Sequence, residues 1–265
     1  MLTLLLLGAV CIRVVFRVFN NATDRAVTSA SAMALESELG IRDWHYVPDL
    51  DVELAQFDTV FWEPDDTSSL RDWLRNAETI QGSQILEIGT GTGIISITAL
   101  KAGARKVVAT DINPNACTNA NYNKEALGLS GELEVRQVSK VAPAAFSVIG
   151  VEEKFDFIIS NPPWEDAEVR EVAAHALYDP DFELLDGLLV DGREHLEPGG
   201  LLLLAYGAKT AIQRILTLGP KTGWQVEILD PRELDSLPEV FLPGMLLKLS
   251  PITMNVGGEI DASSF

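Results

Sequence analysis

The 265-residue chain is 47% apolar by composition and carries a formal net charge of −19. That length holds one α/β domain with a modest accessory segment, and acidity on this scale argues against the broad basic footprint of a nucleic-acid binder, which brings protein and small-molecule substrates forward. Two cysteines, Cys11 and Cys117, and three histidines, His45, His175 and His195, stand at no ligand spacing; they exclude a disulfide framework, predict no metal site, and suit a reducing compartment.

The chain opens with "MLTLLLLGAVCIRVVFRVF" (1–19), uncharged from Leu2 to Ile12. As a helix this segment would span about 28 Å, close to a bilayer core of about 30 Å. It is therefore a candidate membrane anchor, with a buried helix or a start upstream of the true one as the alternatives. No Lys or Arg precedes the run, which disfavours a cleaved signal peptide. Arg13, Arg17 and Arg25 all follow it, so the positive-inside rule keeps the body cytoplasmic, tethered to the cytoplasmic face of a membrane if the anchor inserts. Arg13 and Arg17 count against insertion, at about 2.5–3.5 kcal/mol each in mid-bilayer unless they snorkel.

Residues 20–80 are expected to form a linker and a substrate-side accessory segment. Small polar residues fill 20–40, and 41–66 sets Trp44, Tyr46, Phe57, Phe61 and Trp62 between Pro48 and Pro64, a pattern for hairpin or irregular structure lying over another surface. From 81 to 250 the pattern changes. Short apolar runs at 84–89, 106–111, 133–138, 155–160 and 201–207 alternate with helical windows near 93–102, 114–127, 182–196 and 209–218. That alternation predicts a mostly parallel sheet with helices on both faces. Runs at 224–230 and 241–249 lack a helix between them and are expected to form a terminal antiparallel pair, before a frayed tail over 251–265.

"EIGTGTG" (87–93) ends the first of these strands and opens a helix, where a nucleoside cofactor meets the carboxyl ends of parallel strands. Gly89, Gly91 and Gly93, with Thr90 between them, allow a close backbone approach. The spacing G-x-G-x-G differs from the dinucleotide pattern, and Glu87 is badly placed for a pyrophosphate but well placed for a positive amino or sulfonium group. Asp111 ends the next strand, where a carboxylate can take both ribose hydroxyls, and Ile112 can pack on an adenine. The competing reading makes Glu87 a solvated strand end and Asp111 a helix cap.

The corner Asn161-Pro162-Pro163-Trp164 follows the strand at 155–160. Pro162 bars helix at Asn161 and Pro163 stiffens the turn, so the Asn side chain and the Pro162 carbonyl become two fixed acceptors suited to an NH2 group. Trp164 offers a flat face to a planar amide or base. A plain proline-rich turn with a buried Trp is the bland alternative.

The glycine loop, Asp111 and "NPPW" together resemble the class I S-adenosylmethionine-dependent methyltransferases, and within them the release-factor glutamine methyltransferases and their ribosomal-protein relatives, across residues 55–250. The resemblance implies a Rossmann-like fold with a seven-stranded sheet and S-adenosylmethionine as cofactor. It assigns Glu87, Gly89, Thr90, Gly91 and Gly93 to the methionine end, Asp111 and Ile112 to the nucleoside, and Asn161 and Pro162 to the target NH2, with Pro163 and Trp164 beside it. "FWEPDDTSSL" (61–70) is similar to a degenerate form of the family's acidic segment at Asp66 and Thr67, which adds both to the substrate side, with a solvated turn carboxylate as the competing reading of Asp66. Ser139 stands where relatives usually carry an Asp that meets adenine, and Trp164 where Tyr or Phe is usual. The implied activity is N-methylation of a protein side-chain amide. The alternatives are an RNA or DNA base amino-methyltransferase, which net charge disfavours, and an inactive cofactor-binding scaffold module.

Overall fold

The computed structural model describes Glu36 and residues 40–252. The expectations for an anchor at 1–19, for most of the linker, and for the tail beyond 252 lie outside these residues. Strand β1 (Ile41–Val47) pairs antiparallel with β2 (Val52–Phe57), so the aromatic-rich segment is a hairpin. Helix α1 (Ser68–Asn76) follows, buried through Leu70, Arg71 and Leu74. Next come β3 (Gln84–Ile88), α2 (Ile94–Lys101), β4 (Lys106–Asp111), α3 (Pro114–Ala126) and β5 (Leu133–Gln137). The chain then runs through β6 (Phe155–Ser160), α4 (Glu183–Asp191), β7 (Leu196–Ala208), α5 (Lys209–Leu218), β8 (Trp224–Ile228) and β9 (Val240–Pro251).

Seven strands make one sheet in the order β5-β4-β3-β6-β7-β9-β8. β3 is parallel to both β4 and β6, whereas β9 lies antiparallel between β7 and β8. The expected terminal antiparallel pair is thus present. Its last strand returns into the sheet, which leaves β8 at the edge.

Strand parity divides the core. Leu86, Ile158, Leu202 and Leu204 join the layer that holds Leu185 and Leu188 of α4, Ile212 and Ile215 of α5, and Trp224. Ile85, Phe157, Ile159 and Leu203 face the other layer, with Leu70 and Leu74 of α1 and Ile94 and Ile97 of α2. Both faces of the central strands are therefore dry, as their unbroken apolar runs require.

The hairpin is attached by amides. Asn119 and Asn123 stand one turn apart on α3; Asn119 Oδ1 accepts from Phe57 N at 2.8 Å, and Asn123 Oδ1 accepts from Ala55 N at 2.9 Å. Their amide groups donate to the Ala55 carbonyl at 2.7 and 3.0 Å. Two buried side chains thereby satisfy backbone groups on the outer edge of β2, which would otherwise go unpaired. Buried Arg71 extends the attachment: its guanidinium bonds Asp49 in the hairpin turn, Pro64 O at 3.1 Å and Thr67 Oγ1 at 3.2 Å. The segment 58–67 is thus pinned at both ends.

Candidate active site

The sheet order reverses between β3 and β6, since β4 and β5 lie on one side of β3 and β7 on the far side of β6. A crevice opens at the carboxyl ends of two such strands because their connections leave in opposite directions. Here it is a cavity of about 490 Å³. Asp66, Thr67, Gly89, Thr90, Gly91, Asp111, Ile112, Asn161, Pro162 and Pro163 all line it.

The glycine loop is held from below: Gly89 N and Thr90 N both donate to Thr110 O at 2.9 Å, tying the end of β3 to β4. Gly89 and Gly91 take φ of 80° and 54°, and a Cβ on either would meet no atom within 4 Å. Both line the cavity, so a side chain there would occupy the space a ligand needs. Gly93 does something else. Its Cβ would press on Ala120 Cβ at 3.3 Å, and it lies outside the lining; this glycine lets α2 start close to α3.

Asp111 is half-buried at the cavity wall. Its Oδ2 accepts from Gly91 N at 2.9 Å and its Oδ1 from Asn113 N at 2.8 Å. These bonds fix the carboxylate, although burial outweighs them and holds its pKa above the usual range. Each oxygen keeps lone-pair capacity for a further donor.

Three further expectations need correction. Glu87 does not reach the cavity: it is fully buried, and its Oε2 accepts from Ser96 Oγ and, at 2.9 Å, from Thr90 Oγ1. Burial pushes its carboxyl up to about 8, so near pH 7 it is mostly neutral. It supports the glycine loop from beneath through Thr90 and Ser96. Ser139 lies past the end of β5, exposed, with Oγ accepting from Val141 N at 3.2 Å; the neighbouring lining residue is Val138. Trp164 presents no face to the cavity. Its ring lies against Gly207 and Gly244, and its Nε1 donates to Asn161 Oδ1 at 3.2 Å.

That hydrogen bond orients the Asn161 amide, with the oxygen toward Trp164. Asp66, only 6% exposed, lies close enough to the Asn161 side chain for that side chain to lower its pKa. Burial, offset in part by Asn161, raises the Asp66 carboxyl to about 7. Its Oδ1 has no hydrogen-bond partner. Ser160 Oγ donates to Ile88 O at 2.6 Å and so fixes the end of β6 against β3, directly before Asn161.

Several lining residues lie outside the sequence-based set. Val60, Val138 and Ala144 supply apolar wall, and His175, Tyr178 and Asp179 come from the segment between β6 and α4. Burial, and then Lys140, lower the pKa of the His175 imidazole. Residues 165–182 show no helical or strand period, so no pattern places them. They fold over through backbone bonds from Trp164 N and Glu165 N to Leu177 O and from Asp179 N to Glu165 O.

The family model for ribosomal protein L11 methyltransferase (PrmA) matches residues 67–162. The chain is 38% identical over 136 residues to the release factor glutamine methyltransferase of Cereibacter sphaeroides, a match covering 47% of this chain and 46% of that protein. It is 30% identical over 173 residues to a Methanocaldococcus jannaschii protein named as a protein N5-glutamine methyltransferase, covering 63% of this chain and 82% of that one. Among solved structures, the ribosomal protein L11 methylase of Lactobacillus delbrueckii subsp. bulgaricus shares the fold, with a TM-score of 0.54 at 19% identity over 73% of this chain and 82% of its own. The matched region thus spans about half of the release-factor enzyme and most of the shorter archaeal protein.

The cavity fits S-adenosylmethionine on its own terms. Gly89 and Gly91 leave a cradle that any Cβ would fill, Asp111 holds a fixed carboxylate for ribose hydroxyls, and Ile112 and Val138 add apolar wall for a base. Given this site, and a match that takes in most of the archaeal relative, the chain belongs to the protein glutamine N-methyltransferase family of class I S-adenosylmethionine-dependent methyltransferases.

Proposed function

We propose that the protein methylates a planar NH2 group, the side-chain amide of a glutamine in a protein. One observation carries this reading: Asn161 and Pro162 line the same cavity as Gly89, Gly91 and Asp111. When bound, S-adenosylmethionine supplies an electrophilic methyl group on a sulfonium centre. Gly89, Thr90 and Gly91 are assigned to its methionine end and Asp111 with Ile112 to its nucleoside.

Asn161 Oδ1 spends one lone pair on Trp164 Nε1 and keeps the other for a substrate N–H. The Pro162 carbonyl is assigned the second N–H. Two acceptors on one NH2 fix the direction of the nitrogen, and the cavity removes competing water, so placement supplies most of the acceleration. After transfer the nitrogen is acidic and releases its proton to solvent. Trp164 is thereby a positioning residue, not a stacking platform.

A protein partner and a cytoplasmic setting belong to this proposal. No helix among the described residues is long and apolar enough to cross a membrane, and tethering rests on residues 1–19. In the full chain, Asn161→Ala should bind S-adenosylhomocysteine with unchanged affinity by calorimetry and lose methyl transfer. Equal loss of both would remove the acceptor role. Tritium-methyl transfer into a lysate lacking the protein, followed by separate protease and nuclease digestion, tests the substrate: label released only by nuclease would replace the amide with a base.

A further inference from the structure

We infer that the cavity rim is a docking surface for a basic polypeptide, so that the methyl-accepting side chain sits in a stretch rich in Lys or Arg. This rests on the protein-amide reading and adds the chemistry of the flanking residues.

Two ordered segments frame the opening. One is 58–67, pinned through Arg71; the other is the folded-over stretch 161–183, in which Glu165 bridges Tyr178 and Asp181 N donates to Asp166 Oδ1 at 2.8 Å. Glu63 and Asp65 stand on the first, and Glu165, Asp166, Asp181 and Glu183 on the second. Among the described residues none of these six has a salt bridge. The nearby cations are mostly engaged, Arg170 with Glu168 at 2.9 Å and Arg214 with Asp186 at 2.5 Å. Lys140, beside His175, is left to act against them.

A set of like charges around an opening repels itself, and a cationic partner relieves that repulsion while gaining steering toward the cavity. The interior adds an independent sign. Asp66 lines the cavity at 6% exposure, and its Oδ1 has no hydrogen-bond partner among the described residues. A polyanion meets the opposite: acids at the mouth and a buried acceptor within. Screening limits the reach to about 8 Å at physiological salt, roughly two or three residues of extended chain on either side of the acceptor.

Fluorescence anisotropy on the full chain with S-adenosylhomocysteine present tests this without requiring turnover. The probes are labelled nonapeptides with a central Gln flanked by Lys and Arg, the same peptide flanked by Glu, and a single-stranded RNA of equal length. The basic peptide should bind at least tenfold tighter than the acidic one at 50 mM salt, and the preference should collapse at 500 mM. The exposed rim variant D65N/E165Q/D181N should lose most of it. E132Q/E152Q/E197Q, with the same charge change at the amino-end face of the sheet, should keep it. Equal binding of both peptides, equal effects of the two triple variants, or RNA binding tighter than the basic peptide would each overturn the inference. Methyl transfer is read separately on the bound basic peptide. Preference without transfer leaves the acidic rim standing and removes the amide acceptor.

Discussion

Glu87→Gln should flatten the dependence of stability on pH. The Glu87 carboxyl is fully buried under the glycine loop, with hydroxyls of Ser96 and Thr90 on one oxygen and nothing on the other, and burial raises its pKa from 4.5 to about 8. Between those values the folded chain keeps a proton that the unfolded chain has lost. Its contribution to stability is therefore complete below pH 4.5 and disappears as pH rises through 8. Each pH unit in that window costs about 1.4 kcal/mol, so the wild type should lose roughly 3–4 kcal/mol between pH 5 and 8 from this group alone.

Glutamine cannot titrate, so the variant lacks that slope. Its absolute stability is a poor guide, because the new NH2 group is buried without acceptors at a cost of about 1–3 kcal/mol. The difference in slope is the measure. Asp66 and Asp179, also raised by burial, contribute equally to both proteins and cancel, whereas Asp111 acts on Glu87 through its charge and its share belongs to the same slope. Urea unfolding at pH 5, 6, 7 and 8, followed by tryptophan fluorescence, would determine it. Parallel slopes would refute a protonated Glu87. Affinity for S-adenosylhomocysteine should change only a few-fold in the variant, and a hundredfold loss would return to Glu87 the charge role expected from sequence.

The neighbouring glycines should separate by function. Gly91→Ala places a Cβ in the cavity at φ of 54° and should weaken S-adenosylhomocysteine at least tenfold, at a stability cost of about 1–2 kcal/mol; Gly93→Ala, outside the cavity and pressed against Ala120, should register in the melting temperature rather than in binding. Trp164→Phe keeps a ring against Gly207 and Gly244 but loses the N–H to Asn161. A hydrogen bond of about 0.5–1.5 kcal/mol corresponds to a two- to thirteenfold fall in kcat with cofactor affinity unchanged, and an unaltered kcat would show that Asn161 needs no such orientation. Gly207→Ala drives a Cβ into Phe241 O and the Trp164 ring and should destabilise by about 1–3 kcal/mol in urea unfolding.

What was legible in the sequence was local. Each strand of the sheet is a short apolar run closed by a turn, and the missing helix between the last two runs marks the antiparallel pair. The return of β9 between β7 and β8 has no local sign. Helix α1 escaped because "SSLRDWLRN" has three apolar residues among charges, and one charge, Arg71, is buried only through its long-range bonds to Asp49 and Pro64. Glu87 could have been placed by parity. Leu86 and Ile88 face the α4 layer, so Glu87 shares the face of Ile85 and points at α2, where Ser96 waits. Trp164 could not, since its slot depends on two distant glycines, 207 and 244, that meet only once β7 and β9 pair.

That distinction changes how the substrate side is understood. In sequence, the acidic segment at 61–70 and the corner at 161–164 are separate motifs, one weak and one specific. In the fold they meet at Asn161: Trp164 holds its oxygen, Asp66 lies beside its side chain, and Arg71 and Thr67 hold the loop that carries Asp66. The Trp164 bond leaves Asn161 Oδ1 one lone pair to present to a substrate. Phe at 164 would leave that oxygen free to turn. The Trp in place of the family's usual Tyr or Phe therefore works through its N–H, and the partial match at Asp66 and Thr67 retains the two residues that this arrangement uses.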